Sequence, residues 1–137
     1  MEIVFLLGRI LFAAIFIQSG IAHWQNRQAM GQYAEMKGAP GGETGVVVSG
    51  AVIFTGGILI LLGLWADVGA LLIFGFLLSA AYYMHDYWNA DAESQAGERA
   101  HFMKDIALAG GALIIIYLYW ALGEFADLSV TGPLLFK

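Results

Sequence analysis

The chain predicts an all-α, polytopic membrane protein built as an antiparallel bundle of four transmembrane helices. Three observations carry that prediction. Residues 3–21, 46–65, 68–84 and 106–123 contain a single charged side chain between them, Arg9. At about 1.5 Å of rise per residue, segments of that length cross a hydrocarbon layer of roughly 30 Å, with tilt absorbing small mismatches. Hydrophobic residues make up 60% of the chain and charged residues 12%, against about half and about a quarter in an ordinary soluble domain. The apolar blocks also lack the strict alternation of a barrel strand, and backbone groups in lipid must be paired within a helix if no barrel closes. The connecting segments are too short to fold separately, so residues 1–137 form one domain.

The first helix covers about residues 2–22. Ser19-Gly20-Ile21-Ala22 has the look of a processing site, but Glu2 stands where a signal peptide has a basic leader. The apolar run also exceeds the roughly 7 to 15 residues of a signal core, so the segment is expected to stay as a span. Polar residues follow over 23–45, where Gly38-Ala39-Pro40-Gly41-Gly42 suits a turn and residues 25–37 suit a short helix on the membrane surface. The second and third helices, about 46–65 and 68–84, are separated by Ala66 and Asp67 alone, which forces a tight hairpin. Residues 85–105 make the second long loop, with 91–98 expected to be solvated and mobile. The fourth helix covers about 104–123, and the apolar stretch 130–136, interrupted by Pro133, is too short to span.

Small residues are the expected contact points, because close backbone approach drives helix packing where lipid removes the hydrophobic force. Gly56 and Gly57, the pair Gly75 and Ser79, and the pair Ala107 and Gly111 are the candidates.

The absence of cysteine removes disulfides, thiol nucleophiles and iron–sulfur ligation from this chain. Its formal charge of -5 is concentrated in 85–105, and no basic run exists for nucleic acid to bind. Four spans put both long loops on one side. Those loops hold Arg27, Lys37, Arg99 and Lys104, which favours the cytoplasmic face for them.

All three histidines fall on that loop side: His23, His85 and His101, with Asp86 and Lys104 nearby. Arg9, Gln18 and Ser19 are the polar groups inside the first span. Arg9, Gln18, His23, His85, Asp86, His101 and Lys104 therefore form the candidate polar-ligand or quinone site. Three readings compete for them. An interface belt would use the histidines and aromatic rings at headgroup depth. A proton-relay, quinone or polar-ligand site would use them around a cavity. A metal or haem site lacks any ligand spacing such as His-Glu-x-x-His, so no metal residue and no catalytic set is assigned. Arg9 either snorkels to the headgroups or serves a pocket.

At these residues the chain resembles the DoxX family of small four-helix membrane proteins. The resemblance rests on Phe16-Ile17-Gln18-Ser19-Gly20, Gly56-Gly57 with Leu61-Leu62-Gly63, His85-Asp86-Tyr87-Trp88, and His101 through Leu108 with Gly110-Gly111. It covers roughly residues 5–117. Two positions depart from the pattern: Ile53 where members often carry Glu, and Asp105 where Asn is common. The resemblance implies an accessory subunit or scaffold of a quinone-linked redox complex in a bacterial inner membrane, not a complete enzyme by itself. Its partners would be lipid and other membrane subunits or further copies of the chain, and quinone is the implied cofactor. The alternatives are a quinone- or lipid-binding component using the His-bearing helix ends, and a membrane assembly factor or chaperone.

Overall fold

The computed structural model describes residues 2–123 and 129–136. It is helical throughout its ordered elements: α1 (Glu2–Gln25), α2 (Arg27–Met36), α3 (Gly42–Leu62), α4 (Ala66–Met84), a 3-10 turn at Tyr87–Asn89, and α5 (Gln95–Leu122). Four of these, α1, α3, α4 and α5, are long and apolar enough to cross a membrane. The chain is an integral membrane protein of the predicted class.

Helix α3 is the organising element, packed on α1, α2 and α4, while α5 packs on α4. Adjacent glycines make the central position possible. A Cβ on Gly56 would lie 2.9 Å from the Gly69 carbonyl of α4, and one on Gly57 would lie 2.9 Å from Ile17 of α1. One step of sequence thus turns two bare backbone faces toward two different neighbours. Gly69 returns the contact toward Gly56, and Gly20 and Gly50 bring α1 and α3 together nearer the loop side. Ala13, Phe16, Ile53, Ile60, Ile73 and Leu77 fill the space between them. Helices α1 and α5 meet through rings: Phe5 against Tyr119 at 5.9 Å between centroids, and Phe12 over Gly111.

Among the positions expected to pack, Gly56, Gly57 and Gly111 abut a neighbouring helix. Gly75, Ser79 and Ala107 are exposed, and the space around Gly75 is open.

The hairpin between α3 and α4 closes through Gly63, whose φ of 64° suits a residue without Cβ. The Leu64 amide donates back to Leu59 and the Gly63 amide to Ile60. The second long loop is shorter than the sequence suggests, because α5 begins at Gln95 rather than near 104. Asp91 accepts from the Ser94 amide and hydroxyl at 2.8 and 2.7 Å, and these bonds hold the Asp91 carboxyl below its ordinary range. The helix then runs through Gln95-Ala96-Gly97-Glu98-Arg99-Ala100, mostly good helix formers. Helical structure therefore replaces the mobile stretch expected after Ser94.

Candidate ligand-binding site

A cavity of about 500 Å³ lies among the loop-side ends of α1, α3, α4 and α5, with Met30, Tyr33 and Ala34 of α2 on its wall. Small-molecule sites typically enclose roughly 300 to 1,000 Å³. Ile15, Phe16, Phe76, Leu77 and Leu108 give it an apolar body, and His23, His85, Lys104 and Asp105 supply its polar groups. Ile15, Ser79 and Lys104 are at once lining and exposed, so the cavity reaches the protein surface.

The polar groups are positioned by helix ends. His23, in the last turn of α1, bonds through Nδ1 to the Ser19 carbonyl at 2.7 Å. A carbonyl only accepts, so Nδ1 carries the proton and Nε2 remains for another partner. The ring also meets Phe76 of α4 edge-on at 5.8 Å. His85 terminates α4 and is held from α5 on both sides. Its Nδ1 donates to Glu98 Oε2 at 2.9 Å, and its Nε2 lies 3.8 Å from Asp105 Oδ2. His101 stacks on His85 with centroids 5.0 Å apart. Lys104 Nζ stands 3.3 Å from Asp105 Oδ1.

The seven candidate residues are thus not one cluster. His23, His85 and Lys104 share the cavity. His101 covers His85 from an exposed position outside the lining. Asp86 turns toward a neighbouring cleft of about 200 Å³, which it lines with Lys37, Tyr83 and Trp88. There it accepts from Lys37 Nζ at 2.7 Å and from the Asn89 side chain at 3.0 Å. The Asp86 carboxylate holds the Lys37 ammonium above its ordinary pKa. Gln18 is exposed. Arg9 sits at the opposite end of α1, some 21 Å away along the helix.

Arg9 neither snorkels nor enters the cavity. It is 2% exposed, donates to Tyr119 Oη at 2.9 Å and Ser129 Oγ at 2.7 Å, and lies over the Phe5 ring. The segment after residue 128 folds back over this end. The Thr131 amide donates to the Gly63 carbonyl at 3.1 Å, and the Trp65 amide donates to Thr131 Oγ1 at 3.0 Å. Asp67 is fully buried and its carboxylate accepts from the amides of Leu134, Leu135 and Phe136 at 3.0, 2.6 and 3.2 Å.

Sequence reasoning treated Asp105 as a departure from a pattern, whereas the structure puts it in the cavity wall. The signal was its spacing: Glu98 and Asp105 are seven residues apart and share one helical face once α5 is known to start at Gln95. Ile53, the other departure, is fully buried in the core.

A four-span helical bundle with a cavity of about 500 Å³ toward its loop side defines a class of small membrane protein. The DoxX family model matches residues 4–86, more than half of the chain. The protein belongs to the DoxX family. The matched region ends with Asp86, so α5, with Lys104 and Asp105, lies beyond it. No curated protein and no solved structure matches the chain.

Proposed function

We propose that the protein binds a quinone-class ring in the loop-side cavity and serves a membrane redox complex as an accessory subunit. The observation that carries this reading is the cavity itself: about 500 Å³, largely apolar, and polar where His85, Lys104 and Asp105 meet, with His23 also in its wall. A ring with two carbonyls and an alkyl tail has that same division. Its carbonyls accept hydrogen bonds, and Lys104 is the standing donor beside them. Ile15 and Leu108 offer the tail an apolar route toward the exposed rim.

A quinone carries electrons and protons between membrane enzymes. This chain's contribution is to hold the ring, fix one carbonyl against Lys104 and keep the polar end on the loop side. A binding site alone completes no redox reaction, so a second redox centre belongs to a partner subunit. The basic residues Arg27, Lys37, Arg99 and Lys104 support placing that end on the cytoplasmic face of a bacterial inner membrane.

Equilibrium dialysis of trimethyl-1,4-benzoquinone against the protein in phosphatidylcholine nanodiscs tests the reading. Ala80 lines the cavity, and an Ala80→Phe ring inserted there should weaken binding about tenfold or more by occupying the ligand's space. Binding no greater than that of empty nanodiscs would overturn the proposal.

A further inference from the structure

We infer that Asp105 makes the cavity favour the hydroxylated, reduced form of a ring ligand over the oxidised form. This rests on the ring-binding reading above and goes further by naming the redox state and the residue that selects it.

Asp105 is 4% exposed and lines the cavity. Its nearest nitrogen partners are Lys104 Nζ at 3.3 Å and His85 Nε2 at 3.8 Å, against roughly 2.8 Å for a charge-assisted hydrogen bond. The Lys104 ammonium supplies charge balance, but at these separations neither nitrogen saturates the carboxylate's lone pairs. Glu98 engages His85 from the far side of the ring at 2.9 Å, which holds that imidazole away from a closer approach to Asp105. A buried carboxylate with acceptor capacity to spare is costly unless a donor arrives. The cavity's other titratable groups are His23 of α1, whose Nδ1 is committed to the Ser19 carbonyl, Tyr33 of α2 and Tyr83 of α4.

The two redox forms of a quinone differ in what they offer such a group. A carbonyl oxygen accepts only, so against a carboxylate it brings repulsion between lone pairs. A ring hydroxyl donates, and its hydrogen bond to the carboxylate is charge-assisted. Lys104 serves both forms, because its ammonium donates to a carbonyl or to a hydroxyl oxygen. Asp105 therefore discriminates between the two forms, and Lys104 does not. One charge-assisted hydrogen bond corresponds to a preference of about tenfold or more.

The test compares trimethylhydroquinone with trimethyl-1,4-benzoquinone by anaerobic equilibrium dialysis, using the full chain in phosphatidylcholine nanodiscs, whose lipid carries no hydroxyl. The wild-type protein should hold the hydroquinone about tenfold or more tightly. Asp105→Asn should shrink that ratio to within about threefold, mainly by weakening the hydroquinone. Lys104→Gln should weaken both forms and leave their ratio within about threefold of the wild-type value. A carboxylate that merely pairs with Lys104 would leave the ratio of the two forms unchanged in Asp105→Asn, and that result overturns the inference while leaving ring binding intact. Equal affinities in the wild-type protein overturn it without recourse to any variant. Failure of both forms to bind removes the ring-binding reading itself and this inference with it.

Discussion

Asp67 and Arg9 are buried at the end of the bundle away from the cavity, and each is tied to residues far along the chain. Asp67 receives three amides from a segment 67 to 69 residues later. Arg9 reaches Tyr119 and Ser129, separated from it by 110 and 120 residues. A carboxylate shielded from water is tolerable when several donors surround it, and removing it leaves those amides without their acceptor. Asp67→Ala is therefore expected to lower unfolding stability by about 3 kcal/mol and to release residues 129–136 to protease. Denaturant titration in detergent together with limited proteolysis checks both, and an unchanged transition with a protected tail would contradict the assignment. Neither role was visible in the sequence. Local pattern shows that Arg9 is a charge two turns into an apolar run, but its partners are distant in sequence and belong to no motif. The same holds for Asp105, whose neighbours His85 and Lys104 meet only when α4 and α5 are side by side.

At the scale of elements, apolar blocks bounded by turn residues located all four spans. Helix α4 was expected at 68–84 and is found at Ala66–Met84. Helix α5 starts at Gln95, ahead of the expected 104, because a helix projecting past the bilayer is free to carry Glu98, Arg99 and Lys104. At 28 residues it measures about 42 Å, longer than the hydrocarbon core. Spacing of small residues was a weaker guide. Gly56 and Gly75 look alike in sequence, yet one is pressed against the Gly69 carbonyl and the other faces open space. Their substitutions should separate accordingly. Gly56→Leu is expected to cost about 3 kcal/mol or more through overpacking against α4. Gly75→Ala should be neutral or stabilise by about 0.5 kcal/mol, since a helix gains from Ala where nothing is displaced. Equal losses in thermal unfolding would refute the packing scheme.

Across the whole molecule, the two ends do different work. At the terminal side, α1, α5, the hairpin and residues 129–136 are joined by hydrogen bonds to Arg9, Asp67, Tyr119 and Ser129. At the loop side the helix ends diverge around space, and α2 contributes to the wall. Hydropathy alone reveals that the protein spans a membrane, because lipid imposes the same demand on every residue of a span. It does not reveal a cavity, which depends on how helices separate in three dimensions and on Ser79 and Ala80 being small where they face it.

The central claim, that a quinone-class ring occupies this space, is tested most directly by photolabelling the protein in nanodiscs with an azido-quinone and mapping the adducts by mass spectrometry. The account predicts adducts on cavity residues such as Tyr33, Tyr83 and Leu108, suppressed by excess unlabelled quinone. Adducts confined to outward residues such as Ile114 and Tyr117, or labelling that no competitor reduces, would contradict it.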